Sequence, residues 1–236
     1  MKKIIAILFA AINLVACKKD NDTQIIPVNN APKYKTLEYK GEVTTYTYDG
    51  YGRQVKLVES DGSRTETSYS KDKVTQQQFN ADGTPNRTIT IWLNKQGLQS
   101  RMELSDKPGA YTEYKYNAQQ QLTRTDSKNG ADISWSELYY TGGNLDSTRY
   151  YQNGVWTLTN VYTYYLDKEN VQIGANAGIL FYGADKKNLM KSQTHVAPNG
   201  TITPEEYSYE FDALGRIITL NEVSQNGPSA VHYTYY

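Results

Sequence analysis

Cysteine is almost absent from this chain: Cys17 is the only one in 236 residues. A disulfide framework is therefore excluded, and the fold must stand on packing and hydrogen bonds. Histidine is nearly as scarce. His195 and His232 have no cysteine or second histidine close by in sequence, so they do not make a zinc pattern. No serine at a sharp strand-to-helix turn completes a nucleophile motif with either one, and both read as structural residues. Glycine-rich phosphate loops and the twelve-residue calcium loop are missing too, so no cofactor and no metal are expected. Charge of one sign is also lacking, with 25 basic residues against 25 acidic. Removing Lys2 and Lys3 leaves 23 against 25, a net charge of −2 beyond the first sixteen residues. Without a clustered positive field, nucleic acid is not an expected partner.

No apolar run reaches the roughly 20 residues that a membrane-spanning helix requires. The longest, Ile4 to Leu14, follows Lys2 and Lys3 and has the dimensions of a secretory signal. It ends on Leu14-Val15-Ala16-Cys17, which resembles the lipobox of bacterial lipoproteins. That resemblance implies cleavage before Cys17 and lipid attachment to its thiol, so that the membrane is a partner through acyl chains. The following Lys18-Lys19-Asp20-Asn21-Asp22 is similar to the export signal of surface lipoproteins in Gram-negative gut anaerobes. It implies an outer-membrane lipoprotein exposed at the cell surface, or otherwise one facing the periplasm. From there to Lys33, Pro27 and Pro32 favour an extended, unpacked tether. The expected organisation is a signal peptide over 1–16, a lipidated tether over 17–33 and one β domain over 34–236.

What the chain has in quantity is tyrosine, 22 residues against four phenylalanines and three tryptophans. Tyrosine favours strands and presents a flat apolar ring with a polar tip, which suits a half-dry sheet face. Turn-forming pairs recur about every 23 residues: Asp61-Gly62, Asp82-Gly83, Pro108-Gly109, Asn129-Gly130, Asn153-Gly154, Ala177-Gly178, Asn199-Gly200 and Asn226-Gly227. Such pairs tolerate the positive φ angles that tight hairpins need. Midway between them lies a second signal, an aromatic pair leading into an Asx-turn and a glycine. It is clearest at Tyr46–Arg53 and Tyr209–Ile217, and weaker at Tyr114–Asn117, Leu138–Gly143 and Tyr162–Asp167. Between turns the residues alternate: Ile133, Trp135 and Tyr139 share one face, and Trp156, Leu158, Tyr162 and Tyr164 share another. Two strands and two turns per repeat predict an all-β antiparallel up-and-down meander of about sixteen strands.

The segments Tyr46–Arg53 and Tyr209–Ile217 resemble the YD repeat of Rhs and teneurin-type proteins, in which strung hairpins build a β shell. The whole layout resembles a tyrosine-rich bacterial lipoprotein domain of unknown function with a porin-like fold. That resemblance implies a closed or nearly closed, flattened barrel and supplies no activity. Closure also removes two sheet edges that would otherwise invite aggregation. The final Val231–Tyr236 is expected to zip onto the first strand. Strands of seven or eight residues and sparse aliphatics do not make a lipid-facing band, so the barrel is expected to stay in water.

Candidate chemistry is thin. Trp92, Trp135 and Trp156 could stack on a sugar ring or a peptide, although residues inside strand patterns pack by default into a core. Asp49, Asp61, Asp82, Asp167 and Asp212 are expected in turns; a hydrolase would need two of them across one cleft. Three functions stay open: a non-enzymatic surface binding or scaffold module for a glycan, peptide or protein, a pore or small-ligand carrier, and a hydrolase using turn carboxylates.

Overall fold

A computed structural model of the chain describes residues 32–170 and 186–236. The first strands are β1 (Tyr34–Tyr39), β2 (Glu42–Tyr48), β3 (Gln54–Val58) and β4 (Arg64–Tyr69). They are followed by β5 (Lys73–Phe79), β6 (Pro85–Leu93), β7 (Gln99–Leu104) and β8 (Tyr111–Tyr116). The second half holds β9 (Leu122–Asn129), β10 (Asp132–Thr141), β11 (Asn144–Gln152) and β12 (Val155–Glu169). It ends with β13 (Asn188–Val196), β14 (Ile202–Phe211), β15 (Ile217–Ser224) and β16 (Gly227–Tyr235). Each strand pairs antiparallel with its sequence neighbours, and β16 returns to β1, closing a sixteen-stranded barrel. The expected meander and its zipped last strand are what the structure has.

Because every connection reverses direction, the turns fall alternately at two ends. One end carries the short glycine hairpins, with Gly62, Gly83, Gly130 and Gly200 at φ values of 88°, 83°, 63° and 82°. The expected Ala177-Gly178 turn lies outside the described residues. The other end carries aspartate and asparagine clasps. Asp49 Oδ1 accepts from the backbone N–H groups of Tyr51 and Arg53, and its Oδ2 accepts from Arg53 Nε at 2.7 Å. Asp212 repeats this geometry on Leu214 and Arg216. Asn94 and Asn117 make the same two-point clasp, and the Asn94 turn carries no aromatic pair to announce it in sequence. The Tyr162–Asp167 segment is no turn: β12 runs straight through it to Glu169. The described chain enters at the clasp end at Lys33, whose carbonyl accepts from the backbone of Tyr236.

Register assigns the faces. Tyr46 opposes Leu57, Leu57 opposes Thr65, and Val74 opposes Ile91, which in turn opposes Met102. Ser136 opposes Tyr150, Thr148 opposes Asn160, and Tyr233 opposes Leu37, completing the circuit. This row contains the buried Tyr46, Val74, Ile91, Ser136, Thr148 and Asn160, so it faces the lumen. Most tyrosines stand on it. One dry cluster gathers Val74, Ile91 and Leu93, with Tyr69, Ile89 and Met102 around them. Most other lumen side chains are half-buried, as a barrel too wide for its own side chains to fill dictates.

The opposite face carries charge. Arg101 Nη1 reaches Glu113 at 3.0 Å, Lys115 Nζ reaches Asp126 at 2.9 Å, and Arg124 joins Asp126 at 2.7 Å to Glu137 at 3.0 Å. These pairs form a ladder across β7 to β10.

Candidate functional site in the barrel lumen

Four adjacent strands bring a continuous run of polar side chains onto the lumen wall. Pairing of Thr148 with Asn160, Asn160 with His195 and Gln193 with Glu205 aligns inward positions from β11 to β14. His195 Nδ1 lies 2.8 Å from Asn160 Oδ1, and its Nε2 lies 3.2 Å from Glu205 Oε1. The Gln193 amide stands 3.1 Å from the same Nε2. Tyr207 donates its hydroxyl to Glu205 Oε2 at 2.7 Å. On the other side Asn160 donates to Tyr162 at 3.4 Å, and Tyr162 donates to Thr148 at 3.4 Å. Burial first, then the hydrogen bond to the Glu205 carboxylate, pushes the Tyr207 phenol well above its ordinary value. Tyr207 is therefore a neutral donor at physiological pH.

The hydrogen-bond partners of His195 are an amide, a carboxylate and a second amide, with no serine or cysteine among them. No group of three or more His, Cys, Asp or Glu among the described residues is placed to hold a metal ion.

Towards the clasp end the wall borders a cavity of about 190 Å³. Leu189, Met190, Ile217 and Leu220 form its apolar lining, and Tyr34, Tyr209 and Tyr233 its aromatic one. Tyr34 is stacked on Tyr233, with centroids 4.8 Å apart and planes 14° apart, and tilted against Tyr46 at 5.9 Å. Burial raises the Tyr209 phenol to about 12. Asn170, Lys186 and Asn188 complete the lining from the β12–β13 connection. Two of these are themselves hydrogen-bonded: Asn188 exchanges hydrogen bonds with Asn144 at 3.0 and 2.9 Å, and Asn170 donates to the Lys186 carbonyl at 3.1 Å. The Lys186 ammonium lies 5.3 Å from the centroid of Tyr162, a member of the polar run.

The residues singled out from sequence lie elsewhere. Trp92 opposes Lys73 and Arg101, and Trp135 opposes Asp126 and Tyr151, which puts both on the outer face rather than in a core. Trp135 is covered from its two flanking strands, by Arg124 at 5.4 Å and by Tyr151 at 4.8 Å and 10°. Trp156 was expected beside Leu158, but a bulge at Tyr150/Tyr151 sets it opposite Tyr151 on the outer face. There its indole donates to Thr159 at 3.0 Å. His232 also faces outward, opposite Glu38. Asp49, Asp61, Asp82 and Asp212 each accept hydrogen bonds from their own turns, and Asp167 lies within β12. Cys17 lies outside the described residues. Glu205, Asn160, Gln193 and Lys186 escaped sequence reasoning. The only trace was a polar residue at every second position of β13 and β14, and that reads the same on either face.

No protein-family model matches the chain, and no curated protein does. Solved structures do. A porin-like protein from Bacteroides uniformis aligns with a TM-score of 0.65 at 15% identity, covering 87% of this chain and 99% of that one. A porin-like protein from Bacteroides vulgatus aligns with a TM-score of 0.61 at 14% identity, over 87% and 99% of the two chains. At these identities the likeness shows the porin-like fold, and it agrees with the closed barrel described above.

Proposed function

We propose that this chain is an outer-membrane-anchored lipoprotein whose barrel stands in water as a non-enzymatic binding module at the cell surface. The observation that carries the reading is the outer charge ladder from Arg101 to Glu137. A charged side chain on a lipid-facing strand costs about 2–4 kcal/mol at the bilayer midplane, and this face carries both signs across four neighbouring strands. A barrel with that exterior belongs in water and needs a separate anchor, which acylated Cys17 supplies. Its ligand is a glycan, a peptide or protein, or a small molecule held inside.

The lumen favours the last of these, a carrier, as a second reading within the same frame. Its polar run and its tyrosine-lined cavity both face inward, while outside Trp135 packs against Arg124 and Tyr151 and the Trp156 indole is hydrogen-bonded to Thr159. The hydrolase reading has little support, because the turn carboxylates are engaged in their own turns.

The test is expression of residues 18–236 without leader or acylated cysteine. A β-rich, monodisperse protein in detergent-free buffer, with no conductance in planar bilayers, is the expected result. Recovery only in detergent, or discrete channel openings, would reject the reading and leave a membrane pore.

A further inference from the structure

The two ends of the barrel differ in charge and in what is attached to them. Leaving the β12–β13 connection aside, the clasp end carries five basic residues, Lys33, Arg53, Lys71, Lys95 and Arg216, against three acidic, Asp49, Asp72 and Asp212. The hairpin-end turns reverse the balance, with Lys40 and Lys107 against Glu59, Asp61, Asp82 and Asp106. Two of the clasp-end carboxylates are also taken up within their own turns, Asp49 by Arg53 and Asp212 by Arg216, each at 2.7 Å. Lys33, Lys71 and Lys95 stand exposed, and among the described residues they make no ion pair.

The same clasps hold apolar tips outward. Tyr51 and Leu214 occupy matching positions, two residues after the clasp aspartate, which accepts from the backbone N–H of each at 2.9 Å. Tyr51 is 54% exposed and Leu214 77%, each on a turn fixed at its base. Such a tip has little conformational freedom left to lose on binding. The two turns lie on either side of the β1–β16 seam, beside the point where the chain enters at Lys33. A basic rim with aromatic and aliphatic tips fits the headgroup layer of an anionic bilayer. The hairpin end also exposes apolar side chains, Ile202 among them, but its acidic turns disfavour such a surface and the chain enters at the opposite end. A flexible stretch of about 17 residues spans about 20–25 Å, so a tether from Cys17 to Lys33 keeps the clasp end within reach of the lipid.

We infer that the clasp end docks on an anionic lipid surface, with Lys33, Lys71 and Lys95 against headgroup phosphates and Tyr51 and Leu214 inserted between headgroups. This docking rests on the reading of the chain as an anchored barrel standing in water, and adds which end meets the membrane. Weak contact suffices, because the anchor already holds the barrel at the surface.

The experiment is flotation of the chain from residue 17 onward, carrying Cys17→Ser so that no acyl chain contributes, with phospholipid vesicles. These are phosphatidylcholine alone, or phosphatidylcholine with about one third phosphatidylglycerol. Binding to the mixed vesicles is expected to exceed binding to phosphatidylcholine at least tenfold, and to fall with added salt. Lys33→Gln, Lys71→Gln and Lys95→Gln together are expected to weaken it at least tenfold, since one lysine at such a surface is worth about fivefold. Tyr51→Ser with Leu214→Ser is expected to weaken it at least fivefold, and Ile202→Ser at the hairpin end to change nothing. All these side chains are exposed, so the melting temperature is expected to persist in every variant. Absence of binding up to about 5 mM mixed lipid would overturn the inference, as would equal binding by wild type and the triple-lysine variant. So would a loss in Ile202→Ser with none in the Tyr51 and Leu214 pair, which would turn the barrel the other way up. Those failures leave the anchored-barrel reading standing, since it falls only on a detergent requirement or on conductance.

Discussion

Closure of the barrel depends on one seam, and Tyr34 is the residue on which to test it. It is 4% exposed and touches three rings on two strands: Tyr46 on β2, and Tyr233 and Tyr235 on β16. A tyrosine buries about 200 Å², which at about 25 cal/mol per Å² is a transfer term near 5 kcal/mol. Residual burial in the denatured chain lowers that to about 3–4.5 kcal/mol. The Tyr233 stack adds about 1 kcal/mol. Tyr34→Ala is therefore expected to cost about 4 kcal/mol, a large share of the roughly 5–15 kcal/mol that holds a typical domain together. Tyr34→Leu fills most of the space and is expected to cost about half as much. Tyr111→Ala, on the outer face beneath Arg101 at 3.9 Å, should lose no more than about 1 kcal/mol. Urea unfolding followed by circular dichroism gives all three values, with unchanged m confirming two-state behaviour. A loss below about 1 kcal/mol for Tyr34→Ala would refute the claim that the tyrosine cluster locks β1 to β16.

Gly200 sits at φ 82° with nothing near the position of an added Cβ, so Gly200→Ala isolates backbone strain; a loss of about 1–2 kcal/mol in thermal unfolding is expected. Asp49 and Asp212 are held below the usual carboxylate range, Asp49 because hydrogen bonds from Arg53 outweigh its burial, Asp212 chiefly by the Arg216 backbone N–H. A depressed carboxylate stabilises the fold above its unfolded value, so the melting temperature should fall as pH drops through and below about 4, with a shallower fall in Asp49→Asn. Burial raises Tyr46, Tyr209 and Tyr235 to about 12, so stability present below pH 10 should be lost as pH rises towards 12. Absorbance at 295 nm should show a cooperative step there, over and above the ionisation of exposed tyrosines such as Tyr51 and Tyr236; absence of that step would contradict lumen burial. Arg124→Ala removes two half-exposed ion pairs and should cost no more than about 1 kcal/mol, less at high salt.

Local chemistry alone determined the strands and most of their turns. Asp-Gly and Asn-Gly pairs accept positive φ, alternation marks a sheet with two unlike faces, and an aspartate four residues before an arginine closes its own turn. These are short-range interactions, visible wherever the residues stand. Tyr46–Arg53 and Tyr209–Ile217 therefore announced their clasps correctly. Tyr162–Asp167 failed because an aromatic pair also suits the middle of a long strand, and pairing with β13 carries β12 onward to Glu169.

The tertiary structure decided which face is the lumen and what meets there. A period of two yields two faces without saying which is inside, so Trp92 and Trp135 looked like core yet stand outside. A bulge shifts that period by one residue and leaves no mark in composition, which is how Trp156 parted from Leu158. The run from Tyr207 through His195 to Thr148 joins four strands separated by turns of differing length, and only hydrogen-bonded register aligns them. Asn144 and Asn188, 44 positions apart, hydrogen-bond to each other because β11 and β13 flank β12. Closure of the sheet made a site from residues that no local pattern connects.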